Sequence, residues 1–260
     1  MDFLKISVRS GKKGVQEIYP KFICKSSKDL MIRGGDFYAI WDEANGVWTT
    51  NQDSAIQMID HELDKYKAEH VELESPRVLY MWDGDSGMID KWHKYVQKQL
   101  RDNFHTLDKK LVFSNSPIEK TDYATKRLPY SLESADISAW DEIVGTLYSP
   151  EERHKIEWVI GSIVSGDSKK LQKFLVFYGA SGTGKSTIIN IIQKLFDGYW
   201  ATFNAKALGS SSANFALESF KNNPLVAIQH DGDLSKIEDN TRLNSIVSHE
   251  PMTVDLKFKS

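Results

Sequence analysis

The sequence predicts an α/β chain in two parts: a C-terminal core built on a strand, a glycine loop and a helix, and a mixed α+β region before it. Three observations carry this. First, the five apolar or aromatic residues Phe174, Leu175, Val176, Phe177 and Tyr178 run into Gly179; beyond Ser186, Ile188, Ile189, Ile191, Ile192, Leu195 and Phe196 make a wide apolar helical face. Second, Ser149, Pro150 and Glu152 stand at the cap, first and third positions of a helix start. Third, strand-forming residues 37–41 and 47–49 flank Asp42, Glu43, Ala44, Asn45 and Gly46, an Asn-Gly hairpin pattern.

The elements follow in order. Residues 1–35 carry scattered lysines and glycines and predict a loosely ordered arm with one or two short strands. In the hairpin, Trp41 and Trp48 face each other across the strands; packing and base stacking are both open to them. Asn51 opens a helix with Ile56, Ile59, Leu63 and Tyr66 at helical spacing. Residues 77–82 read as a strand, stopped by a turn that holds Asp83 and Asp85. A helix over residues 88–101 buries Trp92, Tyr95, Val96 and Leu100 and turns Lys91, Lys94, Lys98 and Arg101 outward. Leu111, Val112 and Phe113 read as a short extended piece, and the polar, turn-rich stretch to Pro129 as a linker. The helix capped by Ser149 carries Ile156, Val159, Ile160, Ile163 and Val164 and ends at Gly166. After the glycine loop and its helix, residues 215–220 read as a short helix, and residues 224–231 as a second buried strand ending in Asp231.

Composition bounds what this chain does. Its 260 residues suffice for two units. A net charge of −3 argues against coating nucleic acid through bulk charge, but it is unevenly spread: Lys5, Arg9, Lys12, Lys13, Lys21, Lys25, Lys28 and Arg33 make the start basic. Solvated lysines and a nucleic-acid-facing N-terminal half are the two readings of that bias. No long uncharged apolar run predicts a transmembrane helix, and Met1, Asp2, Phe3, Leu4 and Lys5 do not form a signal-peptide core. Cys24 is alone, which excludes an internal disulfide and a cysteine-rich zinc site and fits a reducing, cytoplasmic setting.

The chemistry concentrates on Gly179, Ala180, Ser181, Gly182, Thr183, Gly184, Lys185, Ser186 and Thr187, where Gly179, Gly184, Lys185 and Ser186 satisfy the phosphate-loop pattern G-x-x-x-x-G-K-[ST]. The glycines let the backbone bend around an anion with its N–H groups inward, and the helix beginning at Lys185 adds the positive end of its dipole. Lys185 reaches the β- and γ-phosphates of a nucleotide as a point charge, and the Ser186 hydroxyl ligates Mg²⁺. Asp231 stands where a nucleotide hydrolase needs a Walker B carboxylate, at the carboxyl end of a parallel strand beside the loop's strand; Asp233 is the alternative.

The segment from Ser149 onward resembles the superfamily 3 helicases, most of all the C-terminal helicase part of phage, plasmid and poxvirus-type primase-helicases. The resemblance rests on the capped helix, the loop from Gly179 to Thr187, the strand ending at Asp231 and the stretch from Leu243 through Lys259. It implies a division into a helicase-associated α+β region at 1–130, a helical connector at 131–170 and an AAA+-like P-loop NTPase core at 171–260. That core is expected to be incomplete at its C-terminal end, since the family's sensor asparagine and arginine finger follow the stretch matched here. The resemblance further implies ATP and Mg²⁺ as cofactors, a homo-hexameric ring, and movement along single-stranded DNA in phage or mobile-element replication, in the cytoplasm of a bacterial host. It makes Lys185 and Asp231 catalytic, Ser186 and Asp231 the Mg²⁺ ligands, and Lys257 and Lys259 candidates for a DNA-contacting channel hairpin. The family often carries a glutamate or paired acids at Walker B; here His230 and Gly232 flank Asp231. Two other readings stay open at this point: a P-loop kinase acting on a small molecule or nucleotide, and a nucleic-acid-binding module with a non-hydrolysing nucleotide site.

Overall fold

The computed structural model describes the chain apart from residues 25–26, 33–37, 83–85, 101–104, 211–212, 214, 222–223, 233–238 and 254–260. The chain divides into two units: Met1–Lys109 with Pro117–Arg127, and Lys110–Ser116 with Leu128–Ser260. It is mixed α/β with small sheets.

The first unit begins with β1 (Leu4–Ser10) and β2 (Gln16–Phe22), antiparallel with Leu4 opposite Phe22 and Ser10 opposite Gln16. Then come β3 (Leu30–Ile32), β4 (Tyr38–Asp42), β5 (Val47–Thr49), α1 (Gln52–Glu69), β6 (Arg77–Val78) and α2 (Ser86–Leu100). β6 joins β2 in parallel, and β3, β4 and β5 form a second, antiparallel sheet. The hairpin expected around Asn45 and Gly46 is present: Gly46 takes φ +62°, and Trp41 pairs directly with Trp48. Their rings meet edge to face with centroids 5.8 Å apart, and both are buried, so packing rather than base stacking occupies them. Asn51 caps α1 by accepting from the Asp53 and Ser54 amides, and Ile56, Ile59 and Leu63 turn inward as their spacing requires. Trp92 of α2 lies among Phe3, Phe22 and Tyr38 and donates to the Tyr38 hydroxyl at 2.9 Å.

Four local expectations change. Residues 1–35, expected as a loosely ordered arm with one or two short strands, instead supply β1, β2 and β3 and bury Phe3, Ile18, Leu30 and Met31 in the first unit's core. The strand over 77–82 shrinks to Arg77–Val78, paired with Glu17 and Ile18 of β2; beyond it the Met81 and Trp82 amides donate to the Asp60 carboxylate instead of to a strand. The stretch read as a linker is not free chain: in Pro117–Arg127, Ala124 accepts from the Trp48 amide and Lys120 from the Trp48 indole at 2.9 Å, and Tyr123 packs on the same ring. Its polar composition concealed the one face that docks. Residues 111–113 carry no strand ladder, although Val112 accepts from the Leu128 amide. The turn at Asp83 and Asp85, and Lys25, Arg33 and Arg101, lie outside the described residues.

The second unit holds α3 (Ser138–Leu147), α4 (Pro150–Ser165), α5 (Ser168–Leu171), α6 (Lys185–Leu195), β7 (Trp200–Thr202), α7 (Ala205–Leu208), β8 (Val226–Ile228) and α8 (Thr241–Val247). α4 starts with the capping box its sequence announces: the Ser149 amide and hydroxyl donate to Glu152, whose own amide donates back to Ser149 Oγ. It stops at Gly166, φ +72°, whose amide bonds to Ile163 and Ser162. Ile188 and Ile192 of α6 pack with Phe196, Ile156, Val144, Tyr199, Val226 and Ile228; each full burial of such a side chain is worth about 2 kcal/mol. Residues 215–220 form a turn and a single 3₁₀ turn, Glu218–Phe220, rather than an α-helix.

The largest departure concerns residues 174–178. They were expected as a buried strand beside the one ending at Asp231. β8 instead takes β7 as its parallel partner, with Thr202 opposite Ile228, and residues 174–178 join no ladder among the described residues. Period-two alternation survives: Leu175 and Phe177 pack into the core, while Phe174, Val176 and Tyr178 face outward and Tyr178 is 99% exposed. The alternation is local, but a strand also needs a neighbour with free donors and acceptors.

Candidate functional site

Residues 179–187 form a loop that feeds directly into α6. Gly182 and Gly184 adopt φ +81° and +78°, and Gly179 φ +151°, a run that side chains disfavour. Gly184 is the N-cap of α6 at a left-handed φ; a methyl there would lie 2.6 Å from Leu147 Cδ1 and 3.1 Å from Cδ2, so the partly exposed Leu147 side chain would have to turn aside. The helix thus begins at Lys185 for two reasons, the left-handed glycine before it and the apolar face after it. Its free first-turn amides and dipole give the loop a positive end.

Lys185 is the cation of this loop. Its Nζ donates to Gly179 O at 3.0 Å, to Ala180 O and to Thr183 Oγ1 at 3.2 Å, while the Thr183 hydroxyl donates to Ala180 O at 3.0 Å. The ammonium therefore stands over the loop, held by oxygens that a stronger anionic partner can replace. Ser181, Ser186 and Thr187 are exposed, as a hydroxyl that ligates a metal must be, whereas Ile188 one residue on is buried.

Beside the loop lies a cleft of about 360 Å³, lined by Tyr148, Glu152, Lys155, Phe177, Thr183 and Lys185 among others. Its size falls in the range of small-molecule sites. The Tyr148 ring packs edge-on against Phe177, and its buried hydroxyl has no hydrogen-bond partner among the described residues. Burial, and then the Glu152 charge, push the Tyr148 hydroxyl's pKa up, so it stays a neutral donor. No distinctive sequence signal places Glu152 and Lys155 of α4 at this cleft, since α4 is separated from residues 174–178 by α5.

Asp231 follows β8 on an exposed bend, held by Gln229: the Gln229 amide nitrogen donates to Asp231 O at 2.7 Å, and its oxygen accepts from the Ala205 amide at 2.7 Å. Gln229 was not anticipated; a polar residue just after a strand carries no distinctive sequence signal. Among the described residues the Asp231 carboxylate makes no hydrogen bond or ion pair with Lys185 or Ser186. The loop residues are thus brought together, while Asp231 is set on a separate turn of the same unit. His230 is exposed. Asp233, Lys257 and Lys259 lie outside the described residues.

Ser186 and Asp231, the hydroxyl and carboxylate expected to serve Mg²⁺, carry the oxygen donors that ion takes, but among the described residues they are not linked to each other. Among the described residues no group of three or more His, Cys, Asp or Glu side chains could hold a metal by itself. No helix among them is long and apolar enough to cross a membrane.

Residues 177–260 match the model of a family of unknown function, DUF5906. The matched segment opens two residues before Gly179 and takes in the loop, α6, β7 and β8. Comparison with curated proteins gives no match.

Proposed function

We propose that this chain is an ATP-binding P-loop protein of AAA+ type, working as a DNA helicase of the superfamily 3, primase-helicase kind in phage or mobile-element replication. One observation carries the reading: a loop with three glycines at positive φ runs into α6 while Lys185 stands over it. That is the arrangement a triphosphate needs from a backbone and a point charge. In this reading the amides of residues 179–187 and Lys185 hold the phosphates, Ser186 and Asp231 serve Mg²⁺, and Asp231 supports water attack on the γ-phosphate. Six copies form a ring around single-stranded DNA, with Lys257 and Lys259 as DNA contacts. The magnesium ion supplies charge neutralisation of the transferring phosphate when bound.

The test is ATP binding and phosphate release by the purified chain, with and without oligo-dT. The proposal expects Lys185→Ala to weaken Mg·ATP binding at least tenfold. It expects oligo-dT to accelerate phosphate release, and Asp231→Asn to bind Mg·ATP normally while losing that acceleration. Unchanged Mg·ATP binding in Lys185→Ala overturns the assignment of the loop. Phosphoryl transfer to a small acceptor without DNA overturns the helicase assignment in favour of a kinase. Binding with no hydrolysis under any condition favours a non-hydrolysing nucleic-acid-binding module.

A further inference from the structure

The outward face of the β1–β2–β6 sheet is a basic plate. The pairing register fixes its membership. Lys5 lies opposite Lys21, Ser7 opposite Tyr19 and Arg9 opposite Glu17, and Glu17 is also opposite Arg77. Paired residues share a face and alternate residues change it, so these seven side chains stand on one side. On the other side Ile6, Ile18 and Val78 pack with Leu63 and Tyr66 of α1. The first side is left open: Lys5, Arg9, Lys21 and Arg77 are exposed, and no described element covers them.

Its charge is predominantly positive. Four cations stand against one carboxylate, Glu17, and Arg9 already engages that carboxylate at 2.9 Å. Lys5 and Lys21 form no ion pair among the described residues, though they are direct cross-strand neighbours. Like charges in that position destabilise a sheet unless an anion bridges them. The connecting turn adds to the plate: Lys13 is held at φ +62° and Gly14 at +78°, Gly11 N bonds to Val15 O at 2.7 Å, and Lys12 and Lys13 are both exposed. Protection of open strand edges accounts for lysines on β1 and, beyond the Glu17–Ile18 pairing with β6, for Lys21 on β2, but not for the aromatic Tyr19 between them. At the centre the Arg9 guanidinium lies over the Tyr19 ring, 5.0 Å from its centroid. A flat aromatic capped by a guanidinium is a surface on which nucleobases stack.

We infer that the open face of β1 and β2 is a binding site for single-stranded nucleic acid, with Lys5, Lys21, Lys12 and Lys13 taking phosphates and the Arg9–Tyr19 pair stacking a base. The site lies wholly in the first unit and is independent of the nucleotide loop.

The experiment is fluorescence anisotropy of a labelled oligo-dT on the whole chain, without nucleotide, across a salt series. Four phosphate contacts predict a slope of log affinity against log salt near −2.8, about 0.7 per contact for a single strand. Lys5→Ala/Lys21→Ala weakens binding at least tenfold and lowers the slope by about 1.4. Lys12→Ala/Lys13→Ala at the turn does the same with no sheet residue altered, which guards against a folding effect. Tyr19→Leu weakens binding several-fold at unchanged slope, a signature that general charge attraction lacks. Lys185→Ala leaves all these values in place, so failure here and failure of the nucleotide reading are told apart. The inference is overturned if the wild-type chain does not bind the oligonucleotide, if both lysine pairs are silent, or if Lys257→Ala/Lys259→Ala alone removes binding. It is equally overturned if Tyr19→Leu is silent and polyglutamate or anionic vesicles compete as well as oligo-dT.

Discussion

Gly184→Ala tests the start of α6 most directly. Two costs add. An alanine held at φ +78° pays about 1–2 kcal/mol for the left-handed conformation. Its methyl would stand 2.6 Å from Leu147 Cδ1, the far end of a side chain that is itself 39% exposed, so Leu147 turns aside at a cost of about 1 kcal/mol at most. The smaller unfolded-state entropy of alanine returns about 0.4–1 kcal/mol. The net expectation is a loss of about 1–2 kcal/mol in the local stability of the first turn. Hydrogen exchange at Ile188 reads it, because that amide donates to Gly184 O at 3.1 Å. At 1.4 kcal/mol per tenfold, exchange there accelerates roughly 5-fold to 30-fold. Leu147→Ala supplies the second arm of a double-mutant cycle. In that background the conformational cost remains, so the two changes couple by no more than about 1 kcal/mol. Exchange in Gly184→Ala within about twofold of wild type, or relief of most of the cost by Leu147→Ala, refutes this account of the loop.

Two further outcomes follow from the first unit. Asp29 is nearly buried and accepts from Lys120 and from the Asp2 amide at 2.8 Å; burial pushes its pKa up, but those bonds and the Lys120 charge outweigh burial and hold it below the usual carboxylate value. A depressed carboxylate stabilises the fold fully above its unfolded pKa and loses that contribution as the pH falls through its folded value. Asp29→Ala therefore costs about 2 kcal/mol in neutral urea titrations, and the gap to wild type narrows only below the ordinary carboxylate range; a gap constant into strong acid contradicts the pairing. Burial, with the Asp2 charge adding to it, pushes the Cys24 thiol up to about 12, which leaves about one thiol in ten thousand ionised near pH 8. Iodoacetamide followed by mass spectrometry is expected to spare the native chain and to label it promptly in concentrated urea; rapid native labelling contradicts the burial.

The sequence was most legible where neighbours in the chain decide the outcome. Ser149 with Glu152, Asn51, Gly166 and the Asn45-Gly46 turn all appear as their patterns require, since caps and turns are settled by hydrogen bonds spanning a few residues. The inward faces of α1 and α6 follow from 3.6-residue spacing alone. Legibility fell where the partner is distant. The docking of Pro117–Arg127 on Trp48 is carried by Tyr123, Ala124 and one backbone carbonyl, against a polar background that suggested a linker. Gln229 orients the Asp231 bend through a backbone amide more than twenty residues upstream, a bond no composition reports.

For the candidate site itself, the sequence by itself determined the loop: three glycines, a lysine and a serine at fixed offsets before an apolar helix leave the backbone few other conformations. Tertiary structure decided what surrounds it. It placed Leu147 over Gly184 and Tyr148 and Lys155 in the adjoining cleft, and it paired β8 with β7 instead of with residues 174–178. In the first unit it set Lys5 opposite Lys21 on an open face, a fact that only strand register can create. The physical reason is common to all of these. Local conformation depends on sterics within a few residues, whereas strand pairing and side-chain neighbourhoods depend on which distant segment competes best for the same donors, acceptors and apolar surface.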